Sequence, residues 1–361
     1  MATQSLTRRT VVLGGAGVAA SLLAGCSDGS SDGEPAPGVG KPRVWSGPVD
    51  EVSVSTGVGF QGREAMIPVA IAKGIFAELG LKVTVLPGKG TTENLRSLMA
   101  GQATFATLDV SGAIIEKTRE GGIRDFWLTS LLHRRNLACF MALDDSGIST
   151  PQALAGKRVT YVPGGINHVL FNTYAKLATP KFDPRGVRWV QAGPQDHAKL
   201  LAGRKVDAIS QFVPAQAAVE LGTGKQVTVL PFTNVMGDLH GSAIGVTHKT
   251  ATENPDLVRR FNHALLRGLK YTMDNPDEAA QIYLGQPEAK TQKLPAVLGE
   301  IKSLAGYVYL STPNPSPAPL GHFDGNRLMQ NITILQGAGR IPAGFTPDQL
   351  VRFDLAGEPV V

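Results

Sequence analysis

The sequence predicts an α/β protein with two lobes, each a mostly parallel sheet flanked by helices, and a cleft between them. Short runs rich in β-branched residues alternate with longer helical patterns from residue 51 to 120. The same alternation begins again at residue 137 and continues to 246. Strands that alternate with helices favour parallel sheets. The 361 residues are enough for two lobes of ordinary domain size.

Each element follows from the spacing of its apolar residues. Period-two alternation and short apolar runs predict strands at residues 51–56, 81–86, 103–108, 137–143, 158–162, 187–191, 206–210, 227–230 and 243–246. Helical spacing predicts helices at 64–79, 92–100, 111–120, 150–154, 166–177 and 195–202.

The C-terminal third is predicted to be helical. Asn254-Pro255-Asp256 and Asn275-Pro276-Asp277 each place a capping Asn before a proline suited to the first helical position. The acidic residue that follows complements the positive end of the helix dipole. The proline-rich residues 312–319 can form only a loop.

The first 26 residues predict export and lipid anchoring. Arg8 and Arg9 precede an apolar run at residues 11–23, which is too short to span a bilayer. The arginine pair resembles a twin-arginine export signal. Leu23-Ala24-Gly25-Cys26 resembles a bacterial lipobox, in which the cysteine becomes the acylated first residue. Residues 27–48 are dominated by Ser, Gly, Pro and Asp and are expected to form a flexible linker.

Charge and cysteine content argue against a nucleic-acid partner, a disulfide and a metal site. Removal of Arg8 and Arg9 lowers the formal net charge from +5 to +3, and no run of basic residues longer than two remains, so no nucleic-acid partner is expected. With Cys26 used by the anchor, Cys139 is the only thiol left, and no intrachain disulfide can form. The histidines show no HExxH spacing and no cysteine cluster exists, so neither a metal nor a cofactor is expected.

Four phrases resemble a family of bacterial substrate-binding proteins. They are residues 68–81 (PVAIAKGIFAELGL), 98–106 (LMAGQATFA), 146–157 (SGISTPQALAGK) and 200–208 (LLAGRKVDA). The family is that of ABC importers for nitrate, sulfonates, taurine and thiamine-pyrimidine precursors. The two Asn-Pro-Asp helices match as well, and the resemblance covers about residues 52–284.

The resemblance implies a type II periplasmic-binding-protein fold and no enzymatic activity. Lobe I is expected at residues 49–134 plus 245–361 and lobe II at 135–244, with hinges at the two crossovers. The implied partners are a small-molecule ligand and a permease with its ATPase. The protein is expected to be a monomer on the outer face of the cytoplasmic membrane, anchored through Cys26.

Ligands of open α/β sheets bind where loops leave the carboxyl ends of strands. Four such loops form the predicted site: residues 57–62, 109–111, 163–168 and 211–214. Glycines at a helix N-terminus expose backbone N–H groups that favour an anion, and this makes the 163–168 loop the strongest candidate. The predicted ligand-binding residues are Gly57, Phe60, Gln61, Asp109, Ser111, Asn136, Gly164, Gly165, Asn167, His168 and Phe212.

The chemistry of the ligand is left open between two classes. An alkanesulfonate or another anion is favoured by the glycine loop and by Arg134 or Arg135, with Arg63 a weaker candidate. A pyrimidine or flavin precursor is favoured by Phe60, Phe212 and Trp189, although aromatic residues also serve as core.

The rival hypothesis is an exported dinucleotide-dependent oxidoreductase. Gly57, Gly59 and Gly62 match the spacing of a dinucleotide fingerprint between a strand and a helix. Two observations weigh against it: the next strand ends in Pro87-Gly88-Lys89, without an acid for a ribose, and Pro68 is expected to break the early helix. The Gly29-x-Ser31-x-Gly33 match to a hydrolase motif lies in the linker and is rejected.

Overall fold

The computed structural model describes residues 45–237, 239–309 and 319–360. Arg8, Arg9 and Cys26 lie outside these residues, as does all but the last residue of the predicted 312–319 loop. Within them the strands are β1 (Asp50–Ser55), β2 (Val58–Gly59), β3 (Leu81–Leu86), β4 (Gly88–Lys89), β5 (Phe105–Asp109), β6 (Phe126–Leu131), β7 (Ala138–Leu143), β8 (Arg158–Tyr161), β9 (Arg188–Gln191), β10 (Ile209–Phe212), β11 (Val227–Pro231) and β12 (Ser242–Thr247).

The helices cover both sheets and make up most of the C-terminal part. They are α1 (Met66–Ala72), α2 (Ile75–Glu78), α3 (Thr91–Met99), α4 (Val110–Thr118), α5 (Ile166–Leu177), α6 (His197–Ala202), α7 (Gln216–Thr223), α8 (Thr233–Met236), α9 (His248–Glu253), α10 (Pro255–Asp274), α11 (Pro276–Leu284), α12 (Leu294–Val308) and α13 (Gly325–Gly337). Among these described helices, none has both the length and the apolar character needed to cross a bilayer.

The sheet of lobe I has the strand order β3-β1-β5-β12-β6. β1 pairs in parallel with β3 and β5, whereas β12 is antiparallel to β5 and β6. Four of its five strands therefore run in the same direction, as the predicted fold class requires.

Lobe II has the same arrangement in a less continuous sheet. β7 lies antiparallel between β10 and β11, β8 pairs in parallel with β9, and a parallel bridge between Val159 and Ala208 joins the two groups. β7 and β12 are the first strands after each crossover. Each starts at the cleft and runs away from it, so each is antiparallel to its neighbours.

The crossovers, residues 132–137 and 232–241, are hydrogen-bonded to each other. The N–H of Gly241 donates to the carbonyl of His133 at 2.9 Å, and the N–H of Asn136 donates to the carbonyl of Leu239 at 2.7 Å. β12 already belongs to the lobe I sheet at Ser242, three residues before the predicted boundary at 244/245.

Several elements differ from the sequence prediction. The predicted helix at 64–79 is a 3-10 turn at Gly62–Glu64 followed by α1 and α2, which are separated at Lys73 and Gly74. Pro68 does not break a helix, because it lies in the first turn of α1, where its missing N–H has no helical acceptor. The predicted strand at 206–210 begins only at Ile209.

Some elements carry no sequence prediction at all. β6 is buried on both faces, and its polar residues Thr129 and Ser130 are adjacent, so it lacks the alternation that marks a strand. α12 does carry a signal, since Val297, Ile301, Leu304 and Val308 recur at helical spacing and all four are buried. α7 and α8 were not predicted, whereas α9, α12 and α13 lie in the C-terminal third, which was predicted to be helical without bounds for these three helices.

Trp45 shows that the last residues of the predicted linker lie on lobe I. Its indole stacks on the guanidinium of Arg260 at 3.9 Å, and the backbone N–H of Trp45 donates to the carbonyl of Glu78 at 3.2 Å. The chain therefore contacts the folded protein before β1 begins.

Candidate functional site

The loop after β1 is held against the edge of its sheet by Asn94. The Asn94 side chain is buried in α3, and its Nδ2 donates to the carbonyls of Thr56 at 2.8 Å and Thr107 at 3.0 Å. Its Oδ1 accepts from the N–H of Lys89 at 2.9 Å. A Cβ at Gly88 would lie 1.7 Å from the carbonyl oxygen of Thr56, so this approach requires glycine. Asn94 is not among the predicted site residues, although it lies near the start of a helix that follows a glycine-containing loop.

The loops of both lobes meet at one narrow cleft. The residues that line it are Val58, Gln61, Arg63, Val162, Gly165, Asn167, His168, Pro194, His197, Ser210, Gln211 and Phe212. Three come from lobe I and nine from lobe II. The cavity between them is about 20 Å³, room for about one water molecule.

Arg63 joins the two lobes across this cleft. Its guanidinium lies over the ring of Phe212, 4.4 Å from the centroid, and its Nη2 donates to the carbonyl of Val58 at 3.1 Å. Arg63 is only 6 % exposed, so its charge needs nearby compensation. Glu64 supplies it, with its Oε1 3.8 Å from Nε of Arg63.

The 163–168 loop leads into α5 as predicted, with Gly165 as its N-cap. Nδ2 of Asn167 donates to the carbonyls of Cys139 and Gln211, both at 2.8 Å, and this fixes the side chain between two strands. His168 packs against the rings of Tyr161 and Trp189, with centroids 4.6 Å apart in both cases. Burial lowers the pKa of His168, so its imidazole is neutral at pH 7.

Five of the predicted ligand residues line the cleft: Gln61, Gly165, Asn167, His168 and Phe212. Phe60 does not, because its ring stacks on Tyr283 at 4.8 Å in the core of lobe I. Gly164 is exposed in lobe II and lies opposite Gly90 of lobe I, where a Cβ at Gly90 would be 3.6 Å from its carbonyl oxygen.

Asp109, Ser111 and Asn136 lie behind the cleft rather than on its wall. Asp109 caps α4 by accepting from the N–H of Gly112 at 3.0 Å, and its Oδ2 accepts from Nδ2 of Asn136 at 2.9 Å. Burial raises the pKa of Asp109 to about 7. Ser111 is fully buried. These residues tie lobe I to the first crossover, which is a structural role the sequence did not distinguish from ligand contact.

The predicted arginines of the crossover are also outside the cleft wall. The N–H of Arg134 donates to the carbonyl of Tyr307 at 2.8 Å, and the guanidinium of Arg135 lies 5.6 Å from the ring centroid of Tyr307. The cleft arginine is instead Arg63, the weaker sequence candidate.

The backbone N–H of Gly57 already has a hydrogen-bond partner within the protein. This N–H donates to Oε1 of Glu64 at 2.7 Å, and Glu64 is only 2 % exposed. A dinucleotide pyrophosphate at this turn would meet a carboxylate instead of free N–H groups, which opposes the oxidoreductase hypothesis.

The described residues also contain no group of three or more His, Cys, Asp or Glu side chains that could hold a metal ion.

The sequence profile of the NMT1/THI5-like family matches residues 63–279. The chain belongs to this family. Two curated relatives are the riboflavin-binding protein RibY of Chloroflexus aurantiacus, 27% identical over 286 residues, and the formylaminopyrimidine-binding protein of Halalkalibacterium halodurans, 21% identical over 223 residues. The first alignment covers 76% of this chain and 77% of the relative, and the second covers 61% and 66%.

A solved structure with the same fold is the periplasmic aliphatic sulphonate-binding protein SsuA of Escherichia coli. Its TM-score is 0.62 at 14% identity, over 86% of this chain and 92% of that one. The two-lobed type II periplasmic-binding-protein fold and the family resemblance predicted from the sequence are therefore confirmed. Both relatives and this structural neighbour are named as binding proteins for small molecules, which supports the predicted role in solute binding.

Proposed function

We propose that the chain is an extracytoplasmic solute-binding protein of an ABC importer that captures a flat nitrogen heterocycle between its lobes. The observation that carries this proposal is the pair formed by Arg63 and Phe212, one from each lobe, at the centre of the cleft. These two groups now stack on each other at 4.4 Å, so a flat ring can enter between them only when the lobes separate, and it can then stack on both planar faces.

The remaining wall suits a heterocycle better than a sulfonate. The Gln61 amide, Nε2 of Gln211 and Oδ1 of Asn167 offer donors and acceptors, and these match the mixed edge of a pyrimidine or flavin ring; Nδ2 of Asn167 is already used by two backbone carbonyls. Arg63 is the one arginine or lysine among the described lining residues, and its charge is offset by Glu64. The curated relatives named for riboflavin and formylaminopyrimidine point to the same class of ligand.

The remaining parts of the proposal come from the sequence. Arg8 and Arg9 direct export, and acylated Cys26 holds the protein beside the permease and its ATPase, which raises the local concentration of loaded protein. The protein acts as a monomer without catalytic activity. The lobes comprise residues 49–134 plus 245–361 and 135–244, and the crossovers are the hinges.

Ligand-induced stabilisation tests the proposed function. Riboflavin and formylaminopyrimidine should raise the melting temperature, whereas taurine, an alkanesulfonate and nitrate should leave it unchanged. Replacement of Asn167 and His168 together by Ala should weaken binding at least tenfold by calorimetry, since both side chains line the cleft.

Asn172→Ala is the matched control, because Asn172 is exposed on the same helix α5 and should leave affinity unchanged. Stabilisation by taurine or the alkanesulfonate alone would transfer the proposal to an anionic ligand. A bound chromophore with NAD(P)-dependent turnover would support the oxidoreductase instead, and no stabilisation by any probe would contradict solute binding.

A further inference from the structure

Helix α12 contacts both sides of the cleft through two consecutive residues. Gly299 packs against α7 of lobe II so closely that a Cβ on it would lie 2.5 Å from Cβ of Ala217. Glu300 packs against the Gly62–Glu64 turn of lobe I, where a Cβ on Gly62 would lie 2.7 Å from its Oε2. Gly299 is required by the first approach, because Cβ of Ala217 cannot turn aside, whereas a Cβ on Gly62 would displace the Glu300 carboxylate.

The Gly62–Glu64 turn is the segment that carries Arg63 into the cleft. Glu300 is 3 % exposed, and its charged form is favoured by Arg63 and by the backbone N–H groups of Gly62 and Arg63. Burial outweighs these effects and raises the pKa of Glu300 to about 7. The segment before α12 holds the same loop, since Nε2 of Gln292 donates to the carbonyl of Phe60 at 3.0 Å.

We propose that Glu300 is a positioning residue of the ligand site, and that α12 sets how closely lobe II approaches the arginine that Glu300 holds in place. This inference rests on the proposed solute-binding function. Glu300 holds the Gly62–Glu64 turn, which orients the Arg63 side chain. The contact between Gly299 and Ala217 limits how closely Phe212 can approach Arg63.

The first experiment needs no ligand. Amide hydrogen exchange at Gly62 and Arg63 should be at least tenfold faster in Glu300→Ala than in the natural sequence. Glu300→Gln retains an acceptor of the same length and should restore slow exchange. Unchanged exchange at the turn in Glu300→Ala, or faster exchange that is uniform over the chain, would overturn the positioning role.

The second experiment widens the contact between α12 and α7. Ala217 is half-buried, so Ala217→Leu should fold while it pushes lobe II away from Gly299. Riboflavin affinity should fall at least tenfold, and Ala218→Leu on the adjacent face of α7 should leave it unchanged. Equal affinities for the two variants would overturn the role of α12.

The two proposals fail in different ways. If none of the probes binds the natural sequence, the proposed function fails, and the exchange measurement still decides whether Glu300 holds the turn. If riboflavin binds the natural sequence and also Glu300→Ala with equal affinity, the function stands and the positioning role fails.

Discussion

Individual buried side chains account for much of the chemistry at the cleft and the hinge. His133 and His240 lie one in each crossover and are at most 2 % exposed. Burial, with a smaller effect of the charge on Arg63, lowers the pKa of His133 to about 3. Burial also lowers the pKa of His240 to about 4, against the hydrogen bond between its Nδ1 and the carbonyl of Arg134. Both imidazoles therefore stay neutral in the folded protein while those of the unfolded chain take up protons.

These histidines predict a loss of stability in mild acid. Between pH 6.5 and about 4 the unfolded chain binds more protons, so the free energy of unfolding falls as the pH falls. His133→Leu should remove the contribution of His133 and leave that of His240, and it breaks no hydrogen bond, because neither ring nitrogen of His133 has a partner among the described residues. The free energy of unfolding of the variant minus that of the natural sequence should be about 2 kcal/mol larger at pH 5 than at pH 7.5. Urea unfolding at the two pH values measures this, and a difference that does not change with pH would refute it.

Asp109 and Glu300 act in the opposite direction. Burial raises both pKa values to about 7, so the folded protein retains protons that the unfolded chain has released. Their contribution to stability is complete at low pH and is lost as the pH rises towards 7. The pH dependence of the whole protein is therefore flatter than that of the histidines alone, and single variants are needed to reveal each effect.

At the scale of elements, α1 and α10 form one of the tightest contacts of lobe I. A Cβ at Gly268 of α10 would lie 2.6 Å from the carbonyl oxygen of Met66 and 2.7 Å from Cβ of Ala70. The stacked rings of Phe105 and Phe261, with centroids 3.7 Å apart, place α10 against the sheet beside this contact. This interface therefore has no space for a methyl group on Gly268 unless α1 or α10 moves.

Two glycine substitutions test this packing. Gly268→Ala should destabilise the protein by about 1–3 kcal/mol, because α1 or α10 must shift. Gly306→Ala in α12 is the matched control, since nothing lies within 4 Å of its Cβ position, and it should stabilise by about 0.5–1 kcal/mol. Urea unfolding of both variants measures the pair, and destabilisation by Gly306→Ala equal to that by Gly268→Ala would contradict the packing argument.

At the scale of the whole molecule, the cleft between the lobes is too narrow for a ligand to enter. Ligand pockets usually enclose at least about 300 Å³, whereas this cavity holds about 20 Å³. We propose that rotation of the lobes at the crossovers supplies the difference. The structure therefore corresponds to a closed arrangement that must open before uptake.

A disulfide across the cleft tests whether opening is required. Gly90 and Gly164 lie opposite each other, so the pair Gly90→Cys and Gly164→Cys is designed to hold the lobes together once it is oxidised; both positions have a positive φ, so each substitution strains the backbone. The chain should also carry Cys26→Ser; Cys139 can stay, because it is fully buried and burial raises the pKa of its thiol. The oxidised protein should fail to bind riboflavin and recover binding on reduction. Each single cysteine variant is a control, and binding of equal strength before and after reduction would contradict the need for opening.

Local patterns determined most of the elements and the places where loops carry glycine. β3 and α5 have the predicted bounds, and most other predicted elements shift by one or two residues, because apolar spacing is read along a few turns of chain. The same local signals located Gly165, Asn167 and His168 at the start of α5. They missed β6, whose burial on both faces leaves no alternation to read.

The sequence alone determined the alternation of strands and helices, the family resemblance and the loops at the carboxyl ends of the strands. Only the tertiary structure decided that Phe60 packs in the core, that Arg63 meets Phe212, and that Glu300 lies against Gly62. These contacts join residues that are far apart in the chain and belong to different elements, so no local pattern encodes them. Burial and charge then decide between a core role and a ligand role, and both depend on what the folded chain places beside each side chain.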